Sequence, residues 1–316
     1  MDSITKAVVT QEQLSLICEK HLGDQCESAV ELKDGWFNAA FLLTARSGRE
    51  AVLKIAPSDS VRLMRYERNL MNAEVSVMRM VREVTDIPVP AIIAFDGSRE
   101  EVASDYFLAE RLSGLPLDQC RPTMATELGE TVDLQVGVIL ASLHKIIGSR
   151  FGTYNQPESE TWSAAFLSLV EMLRQDAADL EVELPAGTFE AVEPHRWALT
   201  EVSAPSLVHW DLWDGNIFVD KDSGEITGLI DFERAMWADP LIEQNFRVPS
   251  PTLIQAYGNP ILESPGAKSR RLLYDLHLFL IMVIECRYRH LTAEHEAHCR
   301  RMLDETLAKC WSAALA

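Results

Sequence analysis

Short apolar runs separated by polar turns dominate the first third of the chain. They predict β-strands near 27–33, 39–45, 50–56, 91–95 and 103–109. The second and third runs flank the turn Arg46-Ser47-Gly48-Arg49 and therefore predict a β-hairpin. Thr10 is a favoured N-terminal cap, so a helix is predicted over 11–21.

A longer helix is predicted over 60–83, where apolar residues recur at near-helical spacing. Glu67 and Glu74 lie seven positions apart, about two turns, and are expected on the same side of this helix. The helix must end before Pro88-Val89-Pro90, because a residue that precedes proline disfavours the helical conformation.

The remainder of the chain is mostly helical in pattern. Helices are predicted near 125–147, 161–181, 187–198, 239–247, 268–290 and 293–313. A small hairpin, 217–220 with 226–230, is predicted across Asp222-Ser223-Gly224. The apolar run 278–284 is too short to span a membrane and predicts a buried core helix. These patterns together indicate an α+β fold.

Chemically distinctive residues flank the predicted hairpin on both sides. The segment 209–216 reads His-Trp-Asp-Leu-Trp-Asp-Gly-Asn, a spacing typical of the loop that orients a hydroxyl for phosphoryl transfer. Asp231 closes the strand predicted at 226–230. A carboxylate beside a hydrophobic core needs a partner charge, and a metal ion is the usual one. His209 is interpreted as a core histidine that hydrogen-bonds the backbone of the loop.

Lys54 lies inside the predicted strand 50–56. Such a lysine is where a kinase places the cation that holds the α- and β-phosphates. The alternative is a lysine at a sheet edge with its stem buried and its charge in water. A phosphate-binding lysine needs an anionic partner on the next helix, and Glu74 is favoured over Glu67 because it lies deeper in the predicted helix.

Residues 27–247 resemble the aminoglycoside phosphotransferase and choline kinase family. The resemblance rests on Lys54-Ile55, the helix with Glu74, Pro88-Val89-Pro90, residues 106–114, the loop 209–216, Ile230-Asp231-Phe232 and Asp239-Pro240. It implies a bilobal, protein-kinase-like fold. Residues 1–112 would form an N-lobe with a small antiparallel sheet, and 113–316 a mostly helical C-lobe.

The resemblance also implies roles for individual residues. By position, Asp211 corresponds to the catalytic aspartate, and Asn216 and Asp231 to the magnesium ligands. Lys54, paired with Glu74, corresponds to the phosphate lysine.

Three further residues are implied to contact the nucleotide. Asn38 lies in the stretch Gly35-Trp36-Phe37-Asn38-Ala39, which corresponds to the phosphate-covering turn. Glu110 and Leu112 lie in the segment that corresponds to the hinge, whose backbone reads adenine. The chain departs from the family at Trp210, where glycine is usual, so the indole is expected to clash, to point at solvent or to face the substrate cleft.

The predicted activity is ATP-dependent transfer of the γ-phosphate to a hydroxyl of a small molecule, with Mg²⁺ as cofactor and GTP as the alternative nucleotide. Asp239-Pro240 follows Asp231 by eight residues without an Ala-Pro-Glu tripeptide, which favours a small acceptor over a peptide. The alternatives are a kinase of a primary metabolite such as an amino alcohol or sugar, a non-catalytic nucleotide-binding module, and a metal hydrolase with His209 and Asp211 as ligands.

Composition narrows the choice of partner. The formal net charge of −19 disfavours nucleic acid and favours a cationic acceptor. No N-terminal segment combines basic residues with an apolar stretch, and the six cysteines lack a Cys-x-x-Cys pair, so we expect a cytoplasmic protein with reduced thiols and no membrane association. Composition leaves the oligomeric state open.

The C-terminal helices carry the candidates for acceptor specificity, namely Glu243, Glu285, Arg287, Tyr288 and Arg289. The nearby His290, His295, His298 and Cys299 have no known metal-site spacing, and structural roles are expected for them.

Overall fold

The structure is a computed structural model that describes residues 4–33, 35, 37–258, 260 and 262–314. The chain forms two compact units. The first, here called the sheet unit, contains residues up to 62 with 69–123 and 214–233. The second, the helical unit, contains 63–68, 124–213 and the residues from 234 onward. The predicted division after residue 112 stays a prediction, and the compact units differ from it in the segments 63–68, 113–123 and 214–233.

The sheet unit is built on a five-stranded antiparallel sheet, and the helices Gln11–Leu22 and Leu70–Val84 belong to it. Its elements are α1 (Gln11–Leu22), β1 (Cys26–Leu32), β2 (Ala39–Ala45), β3 (Glu50–Ile55), α2 (Leu70–Val84), β4 (Ile92–Asp96) and β5 (Tyr106–Glu110), and the strand order is β1-β2-β3-β5-β4. The Thr10 side chain accepts from the Gln13 backbone at 3.2 Å and caps α1 as predicted. Leu43, Leu53 and Leu108 are fully buried in the core on one face of the sheet.

Helix α2 is shorter than predicted. It begins at Leu70, and Arg65–Glu67 form a separate 3₁₀ turn that belongs to the helical unit. Asn69 has a φ of 58°, a left-handed conformation that a continuous α-helix cannot contain. Glu67 is therefore not on the same helix as Glu74, and it pairs instead with Arg289. The expectation that both glutamates share one helical face was wrong.

The predicted small hairpin is present in the sheet unit. Strands β10 (Ile217–Val219) and β11 (Ile226–Leu229) pair with each other, and β6 (Leu115–Pro116) pairs with the outer side of β10. Just before β6, Gly114 has a φ of 85°, and a Cβ there would lie 2.3 Å from the Val219 carbonyl oxygen. Glycine is needed at this point because the two backbones approach so closely.

The helical unit contains longer helices and a four-stranded sheet. Its helices are α4 (Thr126–Leu143), α5 (Trp162–Asp179), α6 (Arg196–Leu199), α7 (Pro251–Tyr257), α8 (Pro265–Tyr288) and α9 (Ala293–Ala314); the short α3 (Leu117–Cys120) belongs to the sheet unit. The four strands are β7 (Phe151–Thr153), β8 (Gln156–Ser159), β9 (Ser206–Val208) and β12 (Met236–Ala238), in the order β8-β7-β12-β9.

Two of the predicted helices were wrong. Residues 239–247 form two 3₁₀ turns, Pro240–Ile242 and Gln244–Phe246, rather than an α-helix. The helix predicted at 187–198 is a 3₁₀ segment, Glu190–His195, followed by the single turn of α6, because Pro194 cannot donate a helical hydrogen bond. Among the described residues, no helix combines the length and the apolar character that a membrane crossing requires.

Candidate active site

Lys54 is at the centre of a cluster of charges in the sheet unit. Its Nζ donates to Glu74 Oε2 at 2.7 Å, to Asp231 Oδ1 at 2.5 Å and to Glu233 Oε2 at 3.3 Å. These four residues are called the ion cluster below. The structure therefore joins Lys54 to the glutamate that the sequence favoured and to the aspartate after β11.

The strand alternation explains where Lys54 points. Its neighbours Leu53 and Ile55 are fully buried in the core, so the Lys54 side chain leaves the opposite face of β3. Helix α2 contacts the sheet through β4 and β5, and its Glu74 is 2% exposed. A glutamate this buried needs a cationic partner, and Lys54 is that partner.

Opposing effects set the charge state of the cluster. Burial lowers the pKa of the Lys54 ammonium group, but the negative charges of Asp231, Glu74 and Glu233 outweigh burial and hold this pKa well above its usual value. Burial is also the largest influence on Glu74, and it raises the pKa of that carboxyl to about 7. Three carboxylates surround one ammonium group, so an additional cation is electrostatically favoured here.

The oxygen atoms of this cluster fit a divalent metal ion. Carboxylate oxygens of Glu74, Asp231 and Glu233 lie within 4.8 Å of one another. The Ile230 N–H donates to the Asn216 carbonyl oxygen at 3.1 Å, next to the pairing of β10 with β11. This backbone hydrogen bond brings Asn216 close to Asp231, the residue that follows Ile230. Carboxylate and amide oxygens are the ligands that Mg²⁺ accepts in proteins. Asp231 also has a φ of 69°, a left-handed conformation of the kind that clusters at active sites and ligand clamps.

Glu233 was not among the residues that the sequence pointed to. It is 5% exposed and is contacted by both Lys54 and Asn38, whose Nδ2 donates to Glu233 Oε2 at 2.6 Å. The one feature of the sequence that could have identified Glu233 is its position two residues after Asp231. The contact joins the buried Asn38 side chain to the ion cluster through Glu233. Trp36 of the same predicted turn lies outside the described residues.

The predicted hinge residues lie at the end of β5. The Glu110 N–H donates to the Ala91 carbonyl oxygen at 2.9 Å, and Glu110 Oε2 accepts from the Ala91 N–H at 3.1 Å. Leu112 packs on the hairpin that carries Asp231, because its side chain fills the space where a Cβ on Gly228 would stand. The segment that includes Glu110 and Leu112 is thus attached to both β4 and the hairpin within the sheet unit.

A buried carboxylate of the helical unit holds the loop that begins at His209 through two backbone hydrogen bonds. Glu243 Oε1 accepts from the His209 backbone N–H at 2.6 Å, and Oε2 accepts from the Trp210 backbone N–H at 2.9 Å. Glu243 is fully buried. This corrects the expectation that it faces an acceptor. His144 Nε2 lies 3.4 Å from Glu243 Oε1.

Trp210 is buried, contrary to the expected clash, solvent or cleft positions. Its φ is 66°, so the chain keeps a left-handed conformation at a position where the family usually has glycine. The indole packs against Tyr66 at 6.0 Å and His277 at 5.5 Å between ring centroids. Burial of a large aromatic side chain offsets the backbone strain of about 1–2 kcal/mol.

Asp211 follows Trp210 directly and stays half-buried. Its backbone N–H donates to His209 Nδ1 at 3.3 Å, which agrees with the interpretation of His209 as a residue that holds the loop. Gln244 Nε2 donates to Asp211 Oδ1 at 3.4 Å. The predicted roles of Asp211 and of the ion-cluster residues in catalysis and ligand binding remain predictions at this stage.

Known structures share this architecture. A thermostable mutant of the aminoglycoside phosphotransferase APH(4)-Ia, in complex with AMP-PNP and hygromycin B, superposes with a TM-score of 0.68 at 18% identity and covers 94% of this chain and 98% of its own. The GDP complex of wild-type aminoglycoside 2'-phosphotransferase-IIIa superposes with a TM-score of 0.68 at 14% identity, over 95% of this chain and 99% of its own. The α+β, kinase-like fold, with an antiparallel N-terminal sheet and a helical C-terminal region, is confirmed.

Sequence comparison identifies the family. Residues 28–243 match the model of the phosphotransferase enzyme family, and the chain belongs to that family. A subtelomeric hrmA-associated cluster protein from Aspergillus fumigatus is 30% identical over 132 residues, which is 42% of this chain and 25% of the fungal protein. The aligned part thus spans about a quarter of the length of these curated relatives.

Proposed function

We propose that this chain is an ATP-dependent phosphotransferase that moves the γ-phosphate to a hydroxyl of a small molecule. The observation that carries the proposal is the ion cluster, in which Lys54 is held by Glu74 and contacts Asp231. A phosphoryl transfer asks a protein mainly to position the phosphates and to neutralise their charge. The cluster supplies one cation for the phosphates and several oxygen ligands for a metal ion.

The residues of the sheet unit would bind the nucleotide. Glu74 orients the Lys54 ammonium group, which holds the α- and β-phosphates. Asn216 and Asp231 would hold Mg²⁺, and Glu233 is close enough to Asp231 to serve as a further oxygen ligand. When bound, Mg²⁺ would supply the positive charge that neutralises the transferring phosphate.

The binding of the base is proposed to involve backbone groups near Glu110 and Leu112, and Asn38 would support the phosphate-covering turn through its hydrogen bond to Glu233. The relatives named above were solved with AMP-PNP in one case and GDP in the other. ATP is the proposed donor, and GTP is the alternative that competition between the two nucleotides would decide.

Asp211 is the proposed catalytic residue of the helical unit. It would orient the acceptor hydroxyl and take its proton as the oxygen attacks phosphorus. Glu243 and His209 would act as positioning residues, because they accept hydrogen bonds from the backbone N–H groups of His209, Trp210 and Asp211.

The acceptor is proposed to be an aminoglycoside-like, cationic small molecule. The net charge of −19 favours a cationic ligand over an anionic one. A primary metabolite such as an amino alcohol or a sugar is the second candidate, because the same catalytic core serves both kinds of acceptor. We also propose a cytoplasmic location, which the six free thiols support.

The experiment combines purified protein, Mg-ATP and a panel of aminoglycosides, amino alcohols and sugars. Mass spectrometry would follow the gain of one phosphoryl group on an acceptor. Asp211→Asn and Asp231→Asn are each expected to lower turnover by at least about 100-fold, in line with the loss of a general base or a metal ligand.

Asp222→Asn is the matched control, because Asp222 is an exposed aspartate in the turn of the same hairpin. It should turn over like the unmodified chain. Undiminished turnover in Asp211→Asn or Asp231→Asn would contradict the assigned roles. Nucleotide binding without phosphorylation of any acceptor would favour a non-catalytic nucleotide-binding module.

A further inference from the structure

A second group of metal-ligating side chains lies in the helical unit, far along the chain from the ion cluster. The thiols of Cys286 and Cys299 and the imidazole of His295 each offer one ligand atom, and the three atoms lie within 4.8 Å of one another. From the sequence, structural roles were expected for His290, His295, His298 and Cys299, and Cys286 was not considered with them. In the folded chain, Cys286 of the preceding helix α8 joins His295 and Cys299 in this group, which does not include His290 and His298.

The hairpin between α8 and α9 creates this arrangement. Cys286 lies in the last turn of α8, and the Leu291 N–H donates to its carbonyl oxygen at 3.0 Å as the chain turns. His290 takes a φ of 52° in the connection. His295 and Cys299 are four residues apart on α9, so their side chains project from the same face of that helix toward Cys286.

We propose that Cys286, His295 and Cys299 form a zinc site that links α9 to α8. Thiolate and imidazole ligands select Zn²⁺ over Mg²⁺ and Ca²⁺, which prefer oxygen. In a tetrahedral site with ordinary Zn–S and Zn–N bonds, the ligand atoms are about 3.6–3.8 Å apart. Atoms already within 4.8 Å need to move by about 1 Å or less to reach that spacing, which side-chain rotation can supply.

The surroundings of the site also suit a cation. Glu285 and Glu296 place negative charge beside the thiols. Part of that charge is already balanced, since Glu296 pairs with Arg300 at 2.7 Å and Glu285 with Arg289 at 3.7 Å. His295 is exposed whereas both cysteines are buried, so an ion can enter from the His295 side. A water molecule would complete the tetrahedral coordination of the ion.

The plain alternative is a pair of buried cysteines that only fill space. The Cys286 thiol donates to the Met282 carbonyl oxygen at 3.0 Å, as a packed thiol does. That carbonyl also accepts the ordinary hydrogen bond of the α8 helix, so deprotonation of the thiol by zinc would not leave it unsatisfied. Space filling does not require an imidazole beside the two sulfur atoms, and the proposed site does.

The test uses the full chain, reduced and freed of metal, titrated with Zn²⁺ in competition with a chromophoric chelator. One ion should bind per chain and raise the melting temperature, because a ligand that binds only the folded state stabilises it. Cys286→Ser, His295→Ala and Cys299→Ser should each weaken binding at least about 100-fold, since even indirect changes around a metal site cost about 10–100-fold.

Two matched controls keep the test specific. His298→Ala removes an exposed histidine of α9 that pairs with Arg301, and Cys310→Ser removes another buried cysteine of the same helix. Both should bind Zn²⁺ like the unmodified chain. His295→Ala is the decisive variant if a cysteine variant fails to fold, because His295 is exposed and its loss leaves the core intact.

Co²⁺ substitution reports the ligands directly. Bound Co²⁺ should show thiolate-to-metal charge-transfer absorption that weakens in each single cysteine variant and is absent when both cysteines are replaced by serine. The proposal is overturned if the reduced chain binds no Zn²⁺, if His295→Ala binds it as tightly as the unmodified chain, or if bound Co²⁺ lacks thiolate absorption. A disulfide between Cys286 and Cys299, formed on oxidation of a chain that binds no Zn²⁺ when reduced, would also overturn it.

Discussion

The two regions that carry the candidate chemical residues, one in each unit, are each held together in a different way. The ion cluster of the sheet unit depends on side-chain charges, with Lys54 among Glu74, Asp231 and Glu233. In the helical unit, the loop at His209 is held through its backbone by Glu243, and the neighbouring indole of Trp210 packs on other rings. This second region, Glu243 with His209, Trp210 and His277, is called the loop support below.

The difference shows how each region meets its task. In a site for phosphates and a metal ion, the lysine must be able to bind phosphates and the carboxylates must be able to bind the metal ion. The side chains therefore place several carboxylates around one lysine. A loop that presents a carboxylate must keep one backbone geometry, so its support uses buried hydrogen bonds and packed rings. We therefore expect the ion cluster to depend on charge and the loop support to depend on buried hydrogen bonds and packed rings.

The largest expected effect comes from Lys54→Met. The substitution leaves the carboxylates of the ion cluster without their cation, and unfolding free energy should fall by about 4 kcal/mol at pH 8, as for other broken buried ion pairs. Chemical denaturation would measure the loss. Nucleotide binding should be lost as well.

Lys20→Met is the matched control, because Lys20 also contacts two carboxylates, those of Asp96 and Glu101, but at the surface. Exposed ion pairs contribute little, so this variant should unfold much like the unmodified chain. An equal loss of unfolding free energy in Lys54→Met and Lys20→Met would show that the buried ion cluster contributes no more to stability than an exposed ion pair.

The next effect is a pH dependence of opposite sign in the two regions. Burial lowers the pKa of His277 to about 4, from 6.5, so the unfolded chain binds the proton more readily between these values. Stability from His277 is complete above pH 6.5 and is lost as pH falls through 4. The full shift corresponds to about 3 kcal/mol. Glu74, with a pKa raised to about 7, acts in the other direction and favours the folded state as pH falls from 7 to 4.5.

His277→Gln should therefore lose less unfolding free energy than the unmodified chain when pH is lowered from 7 to 4, by up to about 3 kcal/mol. His298→Gln removes an exposed histidine and should leave the pH profile unchanged. A parallel profile for His277→Gln and the unmodified chain would mean that His277 is not held neutral.

Glu243→Gln tests the loop support with a smaller expected effect. A glutamine has only one acceptor oxygen for the two backbone N–H groups of His209 and Trp210. One buried donor loses its partner, and unfolding free energy should fall by about 2 kcal/mol. Turnover should fall with an unchanged KM for ATP, because nucleotide binding is assigned to the sheet unit. A rise in KM for ATP without loss of turnover would contradict this assignment.

The smallest effect concerns the backbone at Trp210. Its replacement by either alanine or glycine removes the same packed indole, but only glycine relieves the left-handed φ. Trp210→Gly should therefore be more stable than Trp210→Ala by about 1 kcal/mol. At Trp213, which is exposed and has no left-handed φ, the order should reverse, since glycine ordinarily costs stability. The same order at both positions would show that the strain at Trp210 is negligible.

Regular elements were readable from the sequence where their pattern was long and locally determined. The strands around Lys54, the cap at Thr10 and the small hairpin were all predicted close to their observed bounds. The start of α2 was not, because a single left-handed residue, Asn69, interrupts a segment whose composition is helical throughout. Strands of three residues such as β12 were missed, because so short a segment carries no readable period.

Contacts between residues distant in the sequence could be predicted only where their spacing matched a known motif. Lys54 and Glu74 were paired from their positions, whereas Glu233 joined them without having been considered. Glu243 was mistaken for a residue that faces the acceptor, because sequence does not distinguish a glutamate in water from one that accepts two buried backbone N–H groups.

The sequence by itself determined the fold class, the family and the order of the chemical residues along the chain, since these depend on local periodicity and on spacing within short segments. Tertiary structure alone decided which charges meet at Lys54, how Trp210 occupies a glycine-like position, and that Cys286 joins His295 and Cys299. The physical reason is that pairing and burial depend on side chains brought together from distant parts of the chain, whose combined environment no local pattern records.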